Sequence, residues 1–372
     1  MQQVFSGGKL KTQIMLLVGT LLAFAVNPLW AKDLTVISWG RVNQKEHAKA
    51  YFGPFEKASG VQVHSYSWRG ELNELVREMM GAGKTSWDVV EVGTAELLNG
   101  CREGLYEKLD HARLGNTKDL IPGAVSECGV GTYVWSTVIA WNPDKVKGGL
   151  RSWAEFWDVN KYPGTRGLPR NAKYTLEIAL LADGVAPADI YKVLATQEGV
   201  DRAFKKLDVL KPYVTWWEAG AQAPLWLNSG KLDMAAAQSL WIEAAQTNRG
   251  WDLRMNWNGS LYDIESWAIV KGAPHTEEAY RFISFASKPE NQKVFSDNIG
   301  YGPTNVKAVK VIGAKRANQL PRWGANLRNG IVIDSSFWLA HGEELEKRFQ
   351  NWAPPVDRPK MDDEHGDDHS HR

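Results

Sequence analysis

Apolar and polar positions alternate along the first third of the chain in two rhythms. Residues 33–39 (DLTVISW) form a β-rich run that stops at Gly40, and residues 61–66 (VQVHSY) alternate apolar with polar, as a half-buried strand does. Between them, Ala50, Phe52 and Phe55 fall at helical spacing within 43–58. Leu72, Leu75, Val76 and Met79 share one face of a helix over 71–80, residues 87–92 (WDVVEV) read as a third strand, and 95–100 as a further helix. Strands alternating with helices predict a doubly wound α/β lobe with a largely parallel sheet, in which ligands sit beyond the carboxyl ends of the strands. Trp39-Gly40 and Gly93-Thr94 fall at those ends.

An extended run over 133–141 (YVWSTVIAW) leaves this lobe, and after Asn142-Pro143 the alternation restarts. Ser152 is placed as the N-cap of a short helix reaching Trp157. Helices are expected over 175–183, 200–210 and 221–229, and strands over 213–216, 234–237 and 266–270. Thr276 is read as the cap of a helix over 276–287 with Glu277 and Glu278 in its first turn, followed by a helix over 289–298. The expected fold class is α/β, with two doubly wound lobes.

Composition narrows the classes. A chain of 372 residues suits two domains on a prior of roughly 100–200 residues each. Lys and Arg number 44 against 43 Asp and Glu, so no basic excess points to a nucleic-acid partner. The 23% charged and 44% apolar residues exclude a mostly disordered chain. Lys9, Lys11, an apolar run over 14–26 and the segment 27–31 ending in Ala31 read as a secretory signal peptide over 1–31, the run falling short of the roughly 20 residues a membrane span needs. Its removal turns the formal charge from +1 to −1 and leaves no cysteine at the cleavage point for a lipid anchor. Cys101 and Cys128 then sit where a disulfide persists, although two separately buried thiols also fit the sequence. Residues 354–372 are nearly devoid of apolar side chains and read as a solvated acidic tail, with His365, His369 and His371 as loose metal ligands at most.

Catalytic signatures are scarce. There is no Gly-x-Ser-x-Gly elbow and no His-Glu-x-x-His, and Gly83-Lys84-Thr85 lacks both the leading glycine and the preceding strand of a phosphate loop. Binding is favoured over catalysis, and no cofactor, resident metal or catalytic residue is assigned.

The strand ending in Ser38-Trp39, the run 87–90 (WDVV), the run 152–157 (SWAEFW) and the run 298–305 (NIGYGPTN), in this order behind a signal peptide, resemble the spermidine/putrescine-type solute-binding proteins of ABC importers over most of 33–352. That resemblance implies a periplasmic protein, monomeric, of the type II periplasmic binding protein fold. Two α/β lobes joined by crossing strands would hinge shut on a ligand. Lobe one would hold 32–138 and 263–308, lobe two 139–262 and 309–353. The partners implied are a small amine and an inner-membrane ABC permease. A sensor of the same fold that signals to a membrane receptor is the alternative.

An organic cation taken out of water needs aromatic faces and a carboxylate for each ammonium. By the resemblance, Trp39 forms the first aromatic wall, Glu265 stands at the ammonium-binding acid and Tyr301 at the Gly-Tyr aromatic. Asp263, two residues from Glu265 on a strand, can share its face. The departures concern the other ammonium sites. Where the family carries acids, the stretch 170–174 offers Asn171 and Tyr174, and a family aromatic is replaced by Gln238, with Trp241 close by. One firm carboxylate suits one cationic centre, so spermidine fits poorly. Arg41, Arg69 and Arg170 lie near ligand-facing turns and can each hold a carboxylate in a two-pronged contact. Arg41 is carried as a site residue. The ligand expected is an ω-amino acid or, if the tryptophans form a cage, a quaternary amine.

Overall fold

In this computed structural model the described residues are 33–353, apart from Arg41, Arg69 and Asn116. The expected leader over 1–31 and the tail over 354–372 lie outside the described residues. Ten strands form one sheet: β1 (Asp33–Trp39), β2 (Gln62–Trp68), β3 (Val89–Gly93), β4 (Gly129–Trp141), β5 (Arg166–Pro169), β6 (Val214–Trp217), β7 (Met234–Gln238), β8 (Arg254–Ile269), β9 (Gly302–Pro303) and β10 (Ile331–Val332). Their order is β2-β1-β3-β8-β4-β7-β5-β6, with β10 beside β8 and β9 beside β4.

The two flanks are parallel, as helical crossovers require. β1 lies parallel to β2 and β3 at one end, and β5 lies parallel to β6 and β7 at the other. The centre is antiparallel: β8 runs against both β3 and β4, and β4 against β7. The lobes are therefore less purely parallel than the sequence rhythm suggests. The reason is β8, whose 16 residues begin far upstream of the run at 266–270.

Local chemistry explains the elements. Ser152 caps the helix Trp153–Trp157 by accepting the Glu155 backbone N–H at 3.3 Å. The helix Thr276–Ala286 starts where expected, but its cap position is His275 and not Thr276, whose hydroxyl donates back to the Ala273 carbonyl at 3.0 Å. The expected helix over 43–58 is divided into Val42–His47, a π turn at Ala48–Phe52, and Gly53–Ser59. Pro54 lacks an N–H to continue the regular ladder, and the Gly53 N–H reaches back to the Ala48 carbonyl.

Apolar burial divides into clusters at the two ends of the sheet. Leu34, Tyr51, Phe52, Trp267, Phe282 and Phe295 pack together on the β1 side. Trp153, Phe156, Leu176, Phe204 and Phe349 form the cluster on the β5 side. Cys101 and Cys128 are joined in a disulfide with a Cα–Cα distance of 5.9 Å, which ties the helix Thr94–Arg102 to the entry of β4. No helix among the described residues is long and apolar enough to cross a membrane.

Candidate functional site

β4 and β8 run from one apolar cluster into the other, and at the crossing their apolar pattern breaks. Val130, Tyr133 and Val134 belong to the β1-side cluster, whereas Ile139 belongs to the other. Ser136 and Thr137 of β4, with Asp263 and Glu265 of β8, are all buried here. An unpaired carboxylate in such a place costs several kcal/mol, so this stretch serves a ligand better than a core.

A cavity of about 410 Å³ opens at the crossing. Trp39 enters it from the carboxyl end of β1, Tyr133, Trp135 and Ser136 from β4, Glu265 from β8, Gln238 from the end of β7, and Tyr301 from the loop after the helix Pro289–Asn298. Tyr133 and Glu265 are register partners across β4 and β8 and so present side chains to one face. The Tyr133 ring stacks on Tyr301 with centroids 4.3 Å apart and planes 12° from parallel. The Asn43 amide donates to the Tyr133 hydroxyl at 3.0 Å and holds that ring in place.

Glu265 is the only carboxylate among the described residues lining the cavity. Burial pushes its carboxyl up to about 8, with help from the nearby Asp263 charge, while the Trp39 indole N–H, 3.3 Å from Oε2, acts in the opposite direction. At neutral pH this acid is therefore largely protonated unless a cation pairs with it. A ligand ammonium would supply the missing counter-charge.

Five of the residues singled out from the sequence line this cavity together: Trp39, Tyr174, Gln238, Glu265 and Tyr301. Asp263 does not reach it, because its Oδ1 accepts the Thr94 hydroxyl at 2.6 Å and the Ile264 N–H at 2.8 Å. Asn171 sits at the start of the helix Ala172–Ala182, and its Oδ1 is buried without a partner outside the cavity lining. Trp241 stands outside the lining, 38% exposed, and donates its indole N–H to Gln238 Oε1 at 3.0 Å. Arg41 and Arg69 lie outside the described residues. The Arg170 guanidinium is bonded to Gln350 on the C-terminal helix Ser335–Trp352.

Sequence reasoning missed Asn43, Tyr133, Trp135, Ser136 and Leu240, which also line the cavity. Tyr133 and Trp135 fall in the extended run over 133–141 and carry no ligand role there, although two large aromatics two apart on a strand mark a single face. Tyr174 is held at φ 75°, the one non-glycine residue among those described with positive φ. Its ring meets Trp135 edge-on with centroids 5.7 Å apart. Such backbone strain costs about 1–3 kcal/mol and gathers at ligand clamps. The C-terminal helix helps to hold it, since the Ala172 N–H donates to Glu346 Oε2 at 2.7 Å.

An aromatic cavity built around one buried carboxylate, on strands crossing between two α/β cores, defines a protein that encloses a small solute. The chain belongs to the bacterial extracellular solute-binding protein family, whose profile matches residues 50–322. It is 52% identical to the gamma-aminobutyric acid-binding protein of Pseudomonas aeruginosa over 323 residues, covering 87% of this chain and 91% of that one. The spermidine/putrescine-binding periplasmic protein of Escherichia coli is 25% identical over 278 residues, covering 71% of this chain and 76% of its own. The crystal structure of an ABC transporter substrate-binding protein from Bradyrhizobium japonicum superposes with a TM-score of 0.78 at 35% identity, covering 87% of this chain and 100% of that one. The protein is thus a solute-binding component of an ABC importer, and its relatives are binding proteins. They lend no support to the sensor alternative.

Proposed function

We propose that the protein captures γ-aminobutyric acid, or an ω-amino acid of similar length, in the periplasm and delivers it as a monomer to an inner-membrane ABC permease. The observation that carries this reading is the single carboxylate among the described residues lining the cavity. Glu265, flanked by the Trp39 indole and the stacked Tyr133 and Tyr301 rings, provides for one ammonium. A diamine or triamine would leave a second charge unpaired in a dry site, at a cost of several kcal/mol. The name of the Pseudomonas relative agrees with a ligand of one amine and one acid.

The carboxylate end needs donors. Trp241 can only donate, so its bond fixes Gln238 Oε1 as the acceptor and turns the Gln238 amide N–H groups toward other partners. Gln238 therefore supplies donors within the cavity, and Arg41, next in sequence to the lining residue Gly40, supplies the cation. Closure would bring 139–262 and 309–353 against 32–138 and 263–308, with β4 and β8 as the joining strands.

Isothermal titration calorimetry of the secreted chain with γ-aminobutyrate, putrescine, spermidine and glycine betaine tests the reading. γ-Aminobutyrate is expected to bind about 100-fold more tightly than either polyamine, a gap of about 2.7 kcal/mol. Tighter binding of putrescine or betaine overturns it. Glu265→Gln is expected to abolish γ-aminobutyrate binding.

A further inference from the structure

Behind the cavity wall lies a second buried acid that ligand capture by Glu265 leaves unused. Glu91 of β3 stands opposite Trp267 of β8 and diagonal to Glu265, whose own register partner is Gly93. It is 3% exposed. Its Oε2 accepts the backbone N–H of Trp39 at 2.9 Å, and the same Trp39 directs its indole N–H to Glu265. Its Oε1 faces His47 Nε2 at 3.5 Å, at the end of the helix Val42–His47.

The surroundings of Glu91 contain no counter-ion among the described residues. His47 approaches from the helix Val42–His47, Tyr51 from the π turn, Tyr133 from β4 and Glu265 from β8. His47 is fully buried, which drives its imidazole down to about 3 and keeps it neutral. Tyr133, with its hydroxyl already accepting from Asn43, has its own hydrogen left for Glu91. Burial and the neighbouring Glu265 both push the Glu91 carboxyl well above the usual carboxylate range. A neutral carboxylic acid suits this place: one oxygen accepts from Trp39, and the other is buried 3.5 Å from a neutral imidazole nitrogen with no hydrogen bond or cation among the described residues to hold a charge.

We propose that Glu91 is a positioning residue of the ligand site, which grips the Trp39 backbone and thereby holds the indole against Glu265. The role rests on Glu265 as the ammonium acceptor and extends the site one layer behind its lining. The physical consequence is that shape and hydrogen bonding at Glu91 matter, whereas a negative charge there does not. Glutamine reproduces both; alanine reproduces neither.

The test uses protein labelled with 5-fluorotryptophan, the Trp39 resonance being assigned from Trp39→Phe. Glu91→Ala is expected to displace that resonance in the empty protein and to weaken γ-aminobutyrate binding about tenfold, the effect of a lost buried hydrogen bond. Glu91→Gln is expected to restore both, with the pH profile of binding unmoved. An infrared difference spectrum of wild type against Glu91→Gln at about pH 6, above the usual carboxylate range, should show the carbonyl stretch of one protonated carboxyl in the wild type. The proposal is overturned if Glu91→Ala lowers only the melting temperature and leaves the Trp39 resonance and the affinity unchanged. It is overturned equally if Glu91→Gln binds as poorly as Glu91→Ala, since charge would then be the property used. The fluorine and infrared measurements need no ligand. A failure of γ-aminobutyrate to bind while they behave as expected would remove the proposed ligand and leave the role of Glu91 standing.

Discussion

At the scale of single residues the site is governed by what burial does to Glu265. Its carboxyl lies at about 8 in the empty protein, so an ammonium ligand that needs the ionised form must expel a proton when it binds at pH 7. Apparent affinity should rise as pH goes from 6 to 8, approaching about tenfold per pH unit at the acid end, and level off above. Calorimetry in buffers of different ionisation enthalpy should detect close to one proton released per ligand at pH 7. A flat profile across this range would remove Glu265 as the acceptor. Tyr174 gives a second residue-scale expectation. Tyr174→Gly relieves the positive φ and removes the ring beside Trp135. Affinity should fall several-fold while the melting temperature of the empty protein holds or rises, because glycine lifts a strain of about 1–3 kcal/mol. A large loss of stability would show that the ring is core packing instead.

At the scale of elements, the disulfide and the two crossing strands matter most. The Cys101–Cys128 bond spans 27 positions, for which loop closure gives roughly 3–4 kcal/mol. The double variant Cys101→Ser, Cys128→Ser should lose about that much in urea unfolding, with ligand affinity little changed, since neither cysteine lines the cavity. Helices such as Leu72–Gly81 and the flank strands β1, β2 and β3 were legible from sequence because their apolar residues keep one period, whereas β5, the helix Ser239–Arg249 and the C-terminal helix Ser335–Trp352 were not read. β8 was mostly hidden. Its first residues, 254–260 (RMNWNGS), are largely polar, and Asp263 and Glu265 interrupt the apolar positions of its second half. The features that hide it from a hydrophobicity reading are the ones that make it functional. Trp39, Glu265 and Tyr301 were reachable through family resemblance, whereas Tyr133 and Trp135 were read only as part of an extended run. Asn43 could not be found at all, because its role depends on a hydroxyl 90 residues away in sequence.

At the scale of the whole molecule, the buried acids set how stability responds to pH and to ligand. Burial raises the carboxyls of Glu91, Glu177, Asp263 and Glu265 above their ordinary values. Each therefore holds its proton in the folded chain at a pH where the unfolded chain has released it. The folded state binds more protons, so stability must fall as pH rises through this interval. For Glu265 the loss begins near its unfolded value of about 4.5 and continues to about 8. The empty protein should accordingly melt higher at pH 5.5 than at pH 8.5. Glu265→Gln should flatten part of that slope and stabilise the empty protein at pH 8 by an amount on the order of 2 kcal/mol, while losing the ligand. Ligand acts in the opposite sense, adding about 2.7 kcal/mol at 100 times its dissociation constant. Because that constant itself improves up to about pH 8, a fixed ligand concentration should raise the melting temperature more at pH 8 than at pH 6. Thermal unfolding of wild type and Glu265→Gln, with and without γ-aminobutyrate at both pH values, measures all four terms. A ligand-induced rise that is equal at the two pH values would mean that the acid buried at the crossing of β4 and β8 is not what meets the ammonium.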